Sequence, residues 1–479
     1  MDSTIAPLLK KGDYINGSFV KSAHTSGYIN DGNPGDRSDQ IGRFPFSLQN
    51  TKEAILFADE AQKEWKEQVF AEKVRVIENF KKQLETRSKF LSHTLTREIG
   101  IPLWEAKQEI ADTLTIIEDL LMEAAHIFSN NEDNIRLLPA GPWAMVTPFS
   151  QPLLIPSVFS CAAILMGNAV VHKPSKYTPG VGQAVAELWD HCKLPRALYN
   201  MVQGPGSHIG QYLISHPKIQ GTLFAGSHST ALDIQEKKLI PPHHQFLGFF
   251  GGKASAIVTE HADLEQTARE VLSSAFRYSG QRPSSIARVF VTRPIFDVLI
   301  DTLAKSIDQI QVGNGFHKNS YFGPMISEHW RTRYHRYGHT LYSNGHNAIR
   351  QPENLENDFR GYYVKPSLYQ INWTNGSPVL QDEPPGPTLL IYETNDLEES
   401  IALHNRLQFR RAVSIFGSEA QLDTQYLLRE LKVGGVYINQ APADSGSPVG
   451  LQGYCSNSVK WGRDLLHQLT YKQILFRST

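Results

Sequence analysis

A chain of 479 residues, 41% hydrophobic and 20% charged, has the composition of an ordinary globular protein and is long enough to bury two large cores. A formal net charge of −1, with no basic or acidic block along the chain, gives no electrostatic support for nucleic acid, an acidic polymer or a membrane surface as the main partner, and none is expected. Cys161, Cys192 and Cys455 show no metal-ligand spacing and cannot all pair, which points to structural thiols in a reducing compartment, the cytoplasm.

The first residues, 1–17, mix lysines with short apolar stretches and lack the continuous apolar core of an export signal. From 51 to about 128 the spacing predicts helices: Ala54, Phe57, Ala58, Ala61 and Trp65 recur at helical intervals, and similar patterns occupy 74–84 and 104–125. Short strand-like runs at 135–138 and 143–146 flank a Pro-Ala-Gly-Pro turn and predict a two-strand excursion. The long apolar run 153–171 is broken by Pro156, Gly167 and Asn168 and reads as a buried helix feeding a strand, not a membrane span.

Beyond it the pattern alternates. Strands are expected at 169–172, 197–202 and 221–224 and helices at 180–192 and 209–215, which is the wiring of a parallel sheet covered by helices. A second alternating region, 254–435, carries strands at 255–258, 287–291, 389–392 and 412–416, and 468–476 is again strand-like. Gly204, Pro205, Gly206 and Gly210 form a glycine-rich turn, a weak signal that by itself needs only a tight strand-to-helix connection. His243 and His244 follow two prolines without a third ligand at useful spacing and read as solvated loop histidines, so no metal site is expected.

Several short stretches stand in a fixed order: Pro148-Phe149-Ser150-Gln151-Pro152, His172-Lys173-Pro174-Ser175-Lys176, Phe224-Ala225-Gly226-Ser227, Phe249-Phe250-Gly251-Gly252-Lys253, the segment from Phe276 to Pro283, Gly323-Pro324-Met325-Ile326, Gly361-Tyr362-Tyr363, and Asp382-Glu383-Pro384-Pro385-Gly386-Pro387. Together they resemble the boxes of the aldehyde dehydrogenase superfamily over nearly the whole chain. Arg97-Glu98-Ile99-Gly100, Leu103-Trp104-Glu105-Ala106 and the stretch 216–226 are most similar to its succinylglutamate semialdehyde dehydrogenase branch.

The resemblance implies an α/β fold with a Rossmann-like cofactor domain (1–125 and 146–249), an α/β catalytic-type domain (250–450) and a β oligomerisation extension (126–145 and 464–479). It also implies a homo-oligomer, dimer or tetramer, and NAD or NADP as cofactor. By the same resemblance Lys173 matches the lysine at the adenosine ribose, Gly226 and Ser227 the turn beneath the pyrophosphate, and Glu383 the glutamate on the nicotinamide ribose. Two cofactor positions depart from the pattern: Lys176 replaces a ribose-gripping glutamate and is expected to favour a 2′-phosphate, and Pro385 replaces a phenylalanine.

The positions that carry the family's chemistry depart as well. Pro283 stands where the resemblance places the nucleophilic cysteine, Phe249 where it places the water-activating glutamate, and Ser150 where it places the oxyanion asparagine. Proline offers neither a nucleophile nor a backbone N–H, and phenylalanine accepts no proton. Ser284 and Ser285 follow Pro283 but, one and two places along, are expected to point elsewhere. The implied function is that of a pseudoenzyme acting through assembly, a protein partner such as an active paralogue, or ligand binding. The alternative is an active NAD(P)-dependent semialdehyde dehydrogenase using other groups.

Overall fold

The computed structural model describes residues 10–21, 24–129, 134–355, 360–373, 381, 383–443 and 462–476; Asp382 and Cys455 lie outside the described residues. The chain opens with two short antiparallel pairs, β1 (Asp13–Ile15) with β2 (Ser18–Val20) and β3 (Gly27–Asp31) with β4 (Gly42–Phe46). Four helices follow: α1 (Leu48–Trp65), α2 (Phe70–Thr86), α3 (Ser88–Ile99) and α4 (Leu103–Ser129). Ser47 caps α1 by accepting from Asn50 N, and the face carrying Ala54, Ala58 and Trp65 is buried. Phe57, expected on that face, is exposed on its flank. Trp65 Nε1 donates to Ile164 O at 2.9 Å and ties α1 to the core.

Next come β5 (Ile135–Pro139), β6 (Trp143–Val146), α5 (Leu154–Leu165), β7 (Val170–Lys173), α6 (Pro179–Asp190), β8 (Tyr199–Met201), α7 (Gln211–Ser215), β9 (Gly221–Gly226), α8 (His228–Glu236) and β10 (Gln245–Phe250). Every residue of α5 is buried, as its uniformly apolar sequence requires. The first sheet runs β10-β9-β6-β7-β8-β1-β2, parallel from β10 to β8, with β1 and β2 added antiparallel at one edge. The chain leaves β6 for β7 and β8 on one side and returns to β9 and β10 on the other. The reversal point lies between β6 and β9, where open α/β sheets form a crevice beyond the carboxyl ends of their strands.

One expectation is corrected here. Residues 143–146 do not pair with 135–138: β6 is an inner strand of the first sheet, and β5 pairs instead with the C-terminal strand β18 introduced below.

The second half contains β11 (Ala254–Val258), α9 (Leu264–Phe276), β12 (Ile286–Thr292), α10 (Phe296–Asp308), α11 (Glu328–Ser343), β13 (Asn347–Arg350), β14 (Ser367–Gln370), β15 (Thr388–Thr394), α12 (Leu397–Asn405), β16 (Ala412–Phe416), α13 (Thr424–Glu430) and β17 (Gly435–Ile438). Its sheet, β13-β14-β15-β12-β11-β16-β17, is parallel except for β13. One face packs against α9 and α10, and the other against side chains of α11, α12 and α13. The chain ends in α14 (Gly462–Gln468) and β18 (Thr470–Ile474), the latter antiparallel to β5.

The thiols of Cys161 and Cys192 are buried, and burial raises both, Cys192 to about 12. Both are therefore protonated and inert, as structural thiols are. His244, in contrast to the expectation, is buried, its ring edge-on to His243 at 4.6 Å, and burial holds it down at about 4. No group of residues able to hold a metal occurs among the described residues. No described helix is long and apolar enough to cross a membrane.

Asp13 joins three elements: it accepts from Gln203 N at 2.8 Å and from Asn50 Nδ2 at 2.7 Å. Burial raises its carboxyl to about 7, against the pull of those two donors. An exposed aspartate ionises near about 3.9, so the folded state keeps this proton longer and loses stability as pH rises from about 4 to about 7. Asp13→Asn removes that dependence. Urea unfolding should show the variant gaining on the parent by about 1–3 kcal/mol between pH 5 and pH 8; a pH-independent difference would refute the titration.

Candidate functional site

A cavity of about 360 Å³ opens between the two sheets, at the reversal point of the first. Ser150 reaches it from the loop after β6, Gly226 and Ser227 from the end of β9, Phe249 from β10, Pro283 from the loop before β12 and Glu383 from the segment before β15. Residues scattered from 150 to 383 in sequence thus share one cleft. Lys173 and Lys176 do not line it. Lys173 is buried, donates to Pro174 O at 2.6 Å and Gly204 O at 3.4 Å, and is lowered by burial to about 8. The glycine-rich turn is therefore the seat of the Lys173 ammonium. Lys176 is exposed, its ammonium 5.0 Å from the Tyr177 ring.

The loop carrying Pro283 is clamped from several sides. Tyr278 and Ser279 adopt left-handed backbone angles, φ 52° and 55°, which non-glycine residues hold only when their surroundings impose them. The buried Glu105 carboxylate accepts from Tyr278 N at 3.1 Å and from Arg277 Nε at 2.9 Å. Glu109 accepts from the Tyr278 hydroxyl and from Leu153 N and Leu154 N, at 2.9 and 3.0 Å for the last two. Ser279 Oγ donates to Gly323 O and Pro324 O, both at 2.9 Å, and Lys253 Nζ donates to Gly280 O. Gly280 is required here, because a Cβ would lie 2.1 Å from Gly386 O.

Burial raises the Glu109 carboxyl to about 6 and raises Glu105 as well, the latter opposed by Arg277 and Arg282. Burial and these carboxylates push the Tyr278 hydroxyl well up. None of the three lines the cleft, so the cluster holds the loop and does not face a ligand.

The walls of the cleft differ in character. Phe249 packs edge-on against Phe159 with centroids 5.1 Å apart, and Phe149 faces Trp330 at 5.9 Å. These aromatic side chains make part of the lining apolar. The lining is also cationic: Lys253, Arg282, Arg333 and Arg411 line the cavity, Arg333 5.1 Å over the Trp330 ring, and Glu383 is the one acidic residue among the described lining. Glu383 Oε1 accepts from Gly252 N at 2.8 Å. Gly251, at φ +65°, lets that backbone approach, since a Cβ would meet Glu383 Oε1 at 3.0 Å and the Phe409 ring at 3.2 Å.

The arginines are the features sequence reading missed. Arg411 precedes the fully buried strand β16, a position where a cation needs a reason, and that was the available signal. Ser284 and Ser285 are buried and do not line the cavity, as their offset from Pro283 predicts.

The aldehyde dehydrogenase family model matches residues 19–473. Among curated proteins, the chain is 28% identical over 442 residues to an α-ketoglutaric semialdehyde dehydrogenase of Bacillus subtilis, covering 90% of each. It is likewise 28% identical over 430 residues to a malonate-semialdehyde dehydrogenase of Bacillus pumilus, covering 88% of this chain and 87% of that one. Among solved structures, the 1-pyrroline-5-carboxylate dehydrogenase from Thermus with bound NAD superposes with a TM-score of 0.90 at 23% identity, over 97% of this chain and 92% of that one. The NADP-dependent glyceraldehyde-3-phosphate dehydrogenase of Bacillus halodurans, complexed with NADP, superposes with a TM-score of 0.88 at 26% identity, over 98% and 99%.

Proposed function

The chain belongs to the aldehyde dehydrogenase family, and from that membership we propose that it is a pseudoenzyme whose cleft binds a ligand without oxidising it. One observation carries the reading: the three positions at which the family resemblance places nucleophile, base and oxyanion donor are occupied by Pro283, Phe249 and Ser150, and all three face the same cavity. The described lining contains no cysteine. Its one carboxylate, Glu383, is engaged by the Gly252 N–H.

Part of the cleft fits a dinucleotide. Gly226 and Ser227 line it at the start of α8, where backbone N–H groups and the helix dipole favour a pyrophosphate. A dinucleotide bound there would supply a hydride acceptor, but among the described lining residues the position at which the resemblance places the adduct-forming cysteine is Pro283. This partial fit favours the alternative, an active semialdehyde dehydrogenase, and the two readings separate by assay. Purified protein given NAD or NADP with succinylglutamate semialdehyde or simple aliphatic aldehydes is expected to form no NAD(P)H above a denatured control. Production that tracks the protein through purification would sink the proposal. Any dinucleotide binding is expected to favour NADP through Lys176, and tighter binding of NAD in calorimetry would contradict that.

Assembly is part of the same reading. β5 and β18 form an isolated ribbon, and Tyr471, Ile474, Leu475 and Phe476 at its end are exposed, Phe476 by 85%. Open strand edges with apolar side chains are sites of chain pairing. We expect at least a dimer, either with itself or with an active paralogue, and light scattering that returns a monomer mass at micromolar concentration would contradict this.

A further inference from the structure

We infer that the cleft is a binding site for a small organic anion with an apolar body, an aromatic or alkyl phosphate or carboxylate, held by Arg411 inside and steered by Arg333 at the mouth. This rests on the reading that the cleft retains a ligand without oxidising it, and it adds the chemical class of that ligand.

The contrast between neighbouring arginines carries the argument. Arg410 is spent on the fold: it donates to the carbonyls of Asn405, Leu407 and Lys432. Arg411 is buried and lines the cavity, yet it donates to Gly251 O at 3.2 Å, and its Nε has no partner among the described residues. A buried guanidinium held by one hydrogen bond of 3.2 Å is poorly satisfied, and an anionic oxygen in the cavity it lines would meet its remaining N–H groups in the planar geometry that carboxylates and phosphates match.

The surrounding charge points the same way. Lys253, Arg282 and Arg333 join Arg411 on the lining against Glu383 alone. A second hollow of about 380 Å³ shares Arg333, Glu383 and Pro385 with the first and adds Arg336 and His329 from α11. Arg333 and Arg336 are exposed, so the entrance is basic before the buried cations are reached. A cleft lined by one sign of charge concentrates the opposite sign within it. The aromatic part of the lining, Phe149, Phe159, Phe249 and Trp330, suits a ring or a short chain.

Isothermal titration of the full-length protein tests this with phenyl phosphate, benzoate, inorganic phosphate, NAD, NADP and the neutral benzyl alcohol. At least one of phenyl phosphate and benzoate should bind about tenfold tighter than benzyl alcohol and than inorganic phosphate; which of the two does so identifies the head group. Arg411→Met should weaken that binding about tenfold, and Arg411→Lys should recover part of it. Arg333→Ala, at an exposed position where folding is not at stake, should weaken it severalfold and flatten its dependence on salt. Anions binding no better than benzyl alcohol, binding confined to the dinucleotides, or both arginine variants titrating as the parent would overturn the inference. If Arg411→Met does not fold, Arg333→Ala decides. Aldehyde turnover would end the pseudoenzyme reading and leave this titration result standing.

Discussion

Pro283→Cys, Phe249→Glu and Ser150→Asn combined in one chain should create aldehyde-dependent NAD(P)H formation where the parent shows none. The loop that would present the cysteine is already clamped by Glu105, Glu109, Gly323 and Lys253, so a thiol at position 283 faces the cleft without rebuilding its support. Cysteine restores a nucleophile and a backbone N–H, asparagine a second donor, and glutamate a base. A lost oxyanion donor alone costs about 10²–10³ in rate. Groups that act as a unit are non-additive, so each single reversion should be nearly as inactive as the parent. Phe249 is buried against Phe159, so its replacement by glutamate should cost stability by about 3–5 kcal/mol, and the assay belongs well below the melting temperature. A folded triple variant that stays inactive with saturating cofactor would show that decay extends to the positioning of the cofactor or to the substrate funnel, with Lys176 and Pro385 the first positions to revert.

Glu105→Ala should destabilise the protein by about 3 kcal/mol, the scale of a broken buried ion pair. Its carboxylate is fully buried and holds both Arg277 Nε and the N–H of Tyr278, at the start of the left-handed pair. Without it the backbone of Tyr278 and Ser279 has no reason to stay in that region, and the loop should loosen as far as Pro283. Urea denaturation gives the stability loss, and protease nicking between 277 and 283 reports the loop. Glu105→Gln keeps an acceptor for the Tyr278 N–H and should fall in between. An alanine variant as stable as the parent would mean that Glu109, Ser279 and Lys253 hold the loop without Glu105.

The alternation of helices and strands was legible in the sequence because each buried strand is a short apolar run and each helix carries its apolar face at regular spacing. The motifs were legible in a different way: their order located Ser150, Phe249, Pro283 and Glu383, and the fold brings those into one cavity. Strand partners were not legible. Residues 143–146 and 135–138 look alike locally, and only the approach of 170–173 and 221–226 draws the first into the parallel sheet. Buried charge was hidden too, since arginine and lysine in a sequence read as exposed until a cavity or a carbonyl claims them. Arg411 and the inward-turned Lys173 belong to this class. His244 hid similarly, a loop histidine that the fold buries.

A pseudoenzyme cleft should form no covalent bond with an aldehyde. Intact-mass spectrometry tests it on full-length protein incubated with NAD or NADP and succinylglutamate semialdehyde, then quenched in acid at short times. The predicted result is an unshifted mass at every time, alongside a covalent adduct in the triple variant under the same conditions. An adduct on the unmodified chain, mapped to Ser284 or to any residue lining the cleft and lost when that residue is replaced by alanine, would mean that the protein is an enzyme.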